Sequence, residues 1–430
     1  MKKNLTPIYI LVLFNMAILS PAFSRSLSWS DCVKQLVANN PELEILQHKL
    51  AAAEYLLKGT YSGFYPKVAS NFTYYYKQSD SNINSKTITT YGKEYDIGIS
   101  LSQNLFAGFQ DQAKIKQVEA KILKLQEEVR IGRAQISYDL KSAYAELLFA
   151  QKAVTLQKEI LVRRENNLRL VELRFENGRE NKGSVLLSKA YLQQARYDKL
   201  QAHNNMEVAQ SKLIKLLALD NNDHLELIVN DEPPRVAIPS NLQSQTYQAL
   251  MRNSPNYKQL VAAEQQSAAD LKLAKANFFP TLNLTTTFNK NGERWFPSDN
   301  RQWQAGIVLS IPLFSGGNDY YSVKNSVENS IIAALARQNG EREIVNKLKT
   351  AYTAFKEAIE KLLVDESFLQ ASMVREEIAR NKYNNGLTSF DDWDTIENEL
   401  ITRENGVLES KKNRVFMEAN WELAQGKEAF

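Results

Sequence analysis

The chain has 430 residues, a formal net charge of +4, 43% apolar residues and one cysteine, Cys32. With 24% charged residues and a mean hydropathy of −0.41, it is no strongly basic nucleic-acid binder, no disordered tail and no bundle of membrane helices. One cysteine excludes a disulfide framework and a cysteine-built zinc site, and only 11 prolines and 16 glycines interrupt the chain, which points to very long helices.

Lys2 and Lys3 precede an apolar run, Ile8 to Leu19, followed by Ser20-Pro21-Ala22-Phe23-Ser24. A basic start, a short apolar core and small residues at Ala22 and Ser24 predict a secretory signal peptide over residues 1–24, cut after Ser24. The run is shorter than the ~20 residues that a spanning helix needs. Cys32 lies past the cut, away from a lipidation position, and reads as a buried helix thiol, so no lipid anchor is expected. An exported chain with no second apolar segment of spanning length can enter a membrane only with strands.

The rest of the chain is one unit written twice. Asn40-Pro41 recurs as Ser254-Pro255 and Phe64-Tyr65-Pro66 as Phe278-Phe279-Pro280, both at an offset of 214. Leu105-Phe106-Ala107-Gly108 recurs as Leu313-Phe314-Ser315-Gly316 at an offset of 208, which Gly132/Gly340, Lys141/Lys349 and Arg174–Gly178/Lys382–Gly386 keep. Six residues are therefore missing between Pro280 and Phe314, where a surface loop is expected. The first repeat is assigned to 25–229, a proline-rich connector to 230–240 and the second repeat to 241–430.

Each repeat reads helix, strand, strand, very long helix, tip, return helix. In the first, strands fall at about 67–77 and 94–104, the long helix at 109–175, the tip at 176–183 and the return helix at 184–218. In the second they fall at about 281–289 and 302–311, then 317–383, 384–390 and 391–425. The long segments are rich in good helix formers, and ~67 residues at ~1.5 Å each make rods of roughly 100 Å. Val118, Ile122, Leu125, Val129, Gly132, Ile136, Leu140, Ala143 and Leu147 follow coiled-coil spacing, and Ile344, Leu348, Ala351 and Phe355 repeat its end.

The strands alternate. Val68, Phe72, Tyr74 and Tyr76 share a face, as do Tyr95, Ile97, Ile99 and Leu101. Leu282, Leu284 and Phe288 follow in the second copy, then Trp303, Ala305, Ile307 and Leu309. Segments of ~10 residues, apolar on one side and polar on the other, suit either a membrane barrel or a soluble sandwich. Export and the aromatic ends (Tyr74-Tyr75-Tyr76, Trp295-Phe296, Trp303) favour the barrel. Four strands cannot close one, because known barrels start at about eight, so chains must combine as two, three or more copies.

In this order of elements, with its Tyr65-Pro66 and Phe279-Pro280 strand entries, Leu-Phe-x-Gly exits and Arg/Lys-aromatic-x-x-Gly tips, the chain resembles the TolC-like outer-membrane efflux protein family from Ser26 to Gly426. The resemblance implies a mixed α/β membrane protein of two tandem helix-strand-strand-helix repeats. Its long coiled-coil helices would form a periplasmic α-barrel, and four strands per chain would complete a 12-stranded outer-membrane β-barrel in a homotrimer. It further implies a passive, gated exit duct of a tripartite efflux or type I secretion system in a Gram-negative bacterium. The partners would be a periplasmic adaptor and an inner-membrane transporter of the RND or ABC type, with no cofactor.

The resemblance also maps adaptor contacts onto the tips, at Gly178, Gly183, Val185 and Leu186 and at Gly386, Leu387, Phe390 and Trp393. A closed periplasmic aperture would be ringed at Asp391, Asp392 and Asp394, with Asp392 matching the family's first ring aspartate and Thr395 standing where a second would fall. The residues by themselves allow a plain solvated helix start instead, since three carboxylates there complement the helix dipole.

Other signals fail. Gly178-Arg-Glu-Asn-Lys-Gly183-Ser184 lacks the lysine of a phosphate loop and sits between helices. His48, His203 and His224 are too scattered for a metal site, and no nucleophile stands near a histidine in a known motif, so no enzyme is expected. Glu127-Glu128 and Glu376-Glu377 read as solvated helix faces. The alternative function is an exported coiled-coil structural or adhesion protein with a soluble β cap.

Overall fold

A computed structural model describes residues 25–83, 86–220, 225–228, 231–237, 242–297 and 300–428. The expected signal peptide, His224 and part of the connector lie outside them. The chain divides into two compact units. One comprises the segment up to Asn39 with Glu146–Pro233, the other Asn40–Ala145 with Pro234–Phe430.

The elements in order are β1 (Arg25–Leu27), α1 (Trp29–Asn39), α2 (Pro41–Thr60), β2 (Lys67–Ile83), β3 (Lys86–Ala107), α3 (Gln110–Glu176) and α4 (Lys182–Leu216). Then follow β4 (Leu225–Leu227), α5 (Ser244–Asn253), α6 (Pro255–Ala276), β5 (Thr281–Gly292), β6 (Asn300–Ser310), α7 (Asn318–Asn384) and α8 (Phe390–Gln425). Both long helices have 67 residues, each displaced by one position from the sequence expectation.

In the first unit β1 and β4 pair in parallel, and the backbone N–H of Trp29 donates to Asp231 at 2.6 Å. Cys32 is fully buried in α1, and burial together with Asp31 and Asp231 pushes its thiol up to about 12, so it stays protonated and inert.

In the second unit the repeated Asx/Ser-Pro pairs prove to be helix starts. Asn40 caps α2 by accepting from the N–H groups of Glu42 and Leu43, and Ser254 caps α6 by accepting from Tyr257, each ahead of a proline at the first helical position. The repeated glycines have a shared cause as well. A Cβ on Gly132 would stand 2.5 Å from Leu46 Cδ1, and one on Gly340 would collide with Leu260 Cδ1. Leu46 and Leu260 are themselves repeat equivalents, so each glycine lets a shorter helix lie close against a long one.

The expected seam is the core. Val118 and Ile122 pack with Ala53 of α2, while Ile136 and Leu140 are buried farther along α3. Ile344, Leu348, Ala351 and Phe355 of α7 close around Met251 of α5 and Trp421 of α8. Burying a side chain of this size contributes ~1.5–3 kcal/mol, more than surface helix pairing supplies. Glu376 corrects the solvated-face expectation: it is 5% exposed at the α7–α8 seam, near Arg380, because its spacing places it on the packed side.

The strands run farther than expected. The segment between the first predicted pair, rich in Ser, Asn and Asp, is not a loop but continues β2 to Ile83 and β3 back to Lys86 in unbroken register. β-Branched Thr87, Ile88, Thr89 and Thr90 oppose it, which suits paired strands. The six-residue difference between repeats thus lies in a longer first hairpin.

Candidate functional site

The four long strands form one antiparallel sheet in the order β2-β3-β5-β6, with β2 and β6 at its edges. Its register sets every strand residue expected to face the membrane on one side. Val68 opposes Leu101, Phe72 opposes Ile97 and Tyr74 opposes Tyr95. Ile99 opposes Phe288. Phe288 opposes Trp303, Leu284 opposes Ile307 and Leu282 opposes Leu309, while Ala305 lies against Thr286. Tyr76 continues the β2 row against Lys93.

This side is apolar and uncovered: Val68, Ile307 and Trp303 are 68%, 65% and 76% exposed. The other side is polar. Asn71, Gly98 and Asn289 form one cross-strand row, and Thr73, Asp96 and Asn291 form the next. Gly98 makes room there, since a Cβ would stand 2.5 Å from Asn71 Oδ1. Lys77 pairs with Glu94, which also accepts from Asn291. An apolar outside and a hydrogen-bonded inside is the arrangement of a barrel wall lining a wet lumen.

The two tips share one geometry. Gly178 (φ 69°) and Gly386 (φ 72°) end α3 and α7 in the left-handed conformation. Their N–H groups donate to Phe175 and Tyr383, and those of Arg179 and Leu387 donate back to Arg174 and Lys382, which satisfies the last carbonyls. Asn181 then caps α4 through Ser184 N–H, and Ser389 caps α8 through Asp392 N–H.

Among the expected tip contacts, Gly178, Gly183, Leu186, Gly386 and Leu387 are exposed, Leu186 at 58% and Leu387 at 75%. Val185, Phe390 and Trp393 are buried instead, because the helix period turns them into the hairpins. Trp393 stacks on Tyr383 with ring centroids 4.5 Å apart. Asp391 and Asp392 are exposed and Asp394 half-buried. Asp392 accepts from the Ser389 hydroxyl at 2.7 Å, and that bond, with a longer one from Thr388, holds its carboxyl below the usual carboxylate range. Asp394 accepts from Asn398, and Thr395 donates its hydroxyl to the Asp391 carbonyl. Asp392 is therefore both a capping residue and an exposed acid.

His48 and His203 each lie beside a glutamate one turn away on exposed helix faces. No group of three or more metal-ligating side chains occurs among the described residues. What residue patterns missed is a buried ionic cluster around Glu418, because its partners are far apart in the chain.

Comparison with known proteins fits this architecture. The model of the outer membrane efflux protein family matches residues 32–219 and 246–416. The chain belongs to the outer membrane efflux protein family. It is an outer-membrane protein with long helices outside the bilayer, and the soluble structural or adhesion alternative falls. Relatives include outer membrane protein OprJ of Pseudomonas aeruginosa, 24% identical over 62% of this chain and 56% of OprJ. Alkaline protease secretion protein AprF of the same organism is 22% identical over 59% of this chain and 53% of AprF. The matches thus span about half the length of these two relatives. The fold is that of the Campylobacter jejuni CmeC outer membrane channel, with a TM-score of 0.81 at 17% identity, covering 99% of this chain and 94% of CmeC.

Proposed function

We propose that this efflux-family chain is the exit duct of a tripartite efflux or type I secretion system, acting as a homotrimer. One observation carries this reading: a four-stranded sheet with an uncovered apolar side, a polar side and two edges, β2 and β6. In lipid an unpaired edge leaves backbone groups without partners, so β6 of one copy pairs with β2 of the next. Three copies give twelve strands, enough to enclose a water-filled lumen lined by the polar rows.

Transport through such a duct is diffusion, with the work done by an inner-membrane transporter of the RND or ABC type. A periplasmic adaptor would grip the exposed tip residues, Gly178, Gly183 and Leu186 on one hairpin and Gly386 and Leu387 on the other. Val185, Phe390 and Trp393 support those surfaces from within. Asp391, Asp392 and Asp394, tripled by symmetry, would ring the closed aperture and concentrate cations there. Opening requires the α7–α8 tips to move away from the axis. The test of the duct is conductance: purified full-length chain should form discrete pores in planar bilayers, and membranes that hold the protein without conducting contradict it.

A further inference from the structure

Near the β5–β6 turn, in the row that Ile97 and Phe72 continue, two cations stand side by side on the lipid-facing side. Lys290 on β5 is the direct partner of Arg301 on β6 and also opposes Ile97, which in turn opposes Phe72. Directly opposed side chains of an antiparallel pair lie ~5 Å apart, where like charges repel. The polar side treats its cation differently: Lys77 is neutralised by Glu94. Beyond the backbone ladder, the side chains of Lys290 and Arg301 engage no described residue in a hydrogen bond or ion pair. Such a pair is stable when an anion bridges it.

Their height fits a lipid headgroup. From the Leu282 row to the Lys290 row is eight positions along β5. At ~3.3 Å each that is ~26 Å of strand, or about 20 Å of height at a ~40° tilt, against an apolar band ~25 Å tall. Measured from the Leu282 row, the two cations stand about 5 Å short of the far edge of the band, a distance that long Lys and Arg side chains reach across. Aromatic rings share this part of the sheet. Trp295 folds from the β5–β6 turn onto Phe72 and Tyr95, with ring centroids 4.8 and 5.8 Å apart, and Trp303 lies two residues along β6 from Arg301. Indole rings favour this headgroup level.

With the helices on the periplasmic side, as in the duct reading on which this rests, the turn end reaches the outer leaflet. We propose that Lys290 and Arg301, flanked by Trp295, form a binding site for a phosphate-bearing headgroup of an outer-leaflet lipid. The guanidinium offers a planar fork to two phosphate oxygens and the ammonium adds a point charge.

The test reconstitutes the full chain into phosphatidylcholine vesicles containing a minor fraction of a bis-phosphorylated glucosamine-disaccharide lipid. The protein is then extracted in neutral detergent and the retained bis-phosphorylated lipid counted per chain. Lys290→Gln and Arg301→Gln should each lower retention about fivefold and the double variant about 25-fold, the worth of surface charges near anionic lipid. Lys67→Gln, on the polar side, should leave it unchanged. Equal retention by the double variant, or of the dephosphorylated lipid by the wild type, overturns the site. Displacement by millimolar inorganic phosphate overturns the lipid as its occupant. A chain that stays out of the vesicles overturns the barrel as well, whereas variants that conduct normally and retain lipid like the wild type overturn this proposal alone.

Discussion

Lys141 of α3 and Glu418 of α8 meet at 2.9 Å with only 5% and 1% of their side chains exposed. Lys141 also reaches Glu422 at 2.8 Å, Arg414 holds the second oxygen of Glu418, and Val236 of the connector donates its N–H to Glu418. Two cations and two carboxylates thus satisfy one another inside the helical body and pin the connector to it. The repeat equivalent of Lys141, Lys349, instead lies over the Tyr247 ring, so this cluster belongs to one repeat only.

Removing one member of such a cluster strands a buried charge, at a cost of about 3–5 kcal/mol. Lys141→Met should therefore lower the thermal midpoint by several degrees, followed by circular dichroism in detergent. The double variant Lys141→Met/Glu418→Met should lose less than the sum of the singles. Additive losses would mean that the two side chains are not coupled.

The Tyr383–Trp393 stack closes the second tip from within, with Phe390 packed edge-on to both. Trp393→Ala should cost about 3–5 kcal/mol locally and loosen the α7–α8 hairpin. Larger mean conductance and faster proteolysis near the tip are the expected readouts, while Leu387→Ala, at an exposed site, should leave both unchanged.

At Gly132 a side chain must displace Leu46. Gly132→Val should destabilise the α2–α3 contact by about 1–3 kcal/mol, and the added variant Leu46→Ala should recover part of that loss by making room. Chemical denaturation of the single and double variants measures both.

Carboxyls held low give the α7–α8 hairpin its pH dependence: Glu343, through its hydrogen bond from Lys347, and two acids with more partners, Asp365 and Asp392. Asp365 is held below the usual carboxylate range by hydrogen bonds from Lys361 and Ser410, and Asp392 by the Ser389 and Thr388 hydroxyls. A depressed carboxyl binds its proton more readily in the unfolded chain. Its stabilisation is thus complete above the ordinary carboxylate value of about 4 and fades as pH falls through the lower folded value. Thermal midpoints should be level from neutral pH to about 5 and then fall, and Asp365→Asn should flatten that fall.

The aperture proposal is tested by charge removal. Asp391→Asn/Asp392→Asn/Asp394→Asn should lower cation preference and weaken block by divalent cations in single channels. An unchanged reversal potential under a salt gradient would remove these residues from the ring. Asp392→Asn alone also separates capping from charge, since asparagine keeps a side-chain acceptor but loses the negative charge.

Much of this was readable in the residues because the repeat supplies two readings of each signal. Gly178 and Gly386 mark both tips, Asn40-Pro41 and Ser254-Pro255 mark two helix starts, and period-two alternation sorts the predicted strand residues onto one side of the sheet. Strand ends were harder to read. Polar Ser79 to Asn82 look like a turn until their pairing with Thr87 to Thr90 is seen. Buried acids escaped for a related reason. Glu376 and Glu418 have no local pattern to distinguish them from solvated glutamates, and only partners distant in sequence set their burial. Phe390 and Trp393 looked like contact residues because they follow a tip glycine, yet the turn of α8 directs them inward.

The central claim is that the barrel closes between chains, and the detergent-corrected mass of the membrane-extracted mature protein tests it most directly. The account predicts three chains per particle and precipitation when detergent is withdrawn. A single chain that stays soluble without detergent would contradict it.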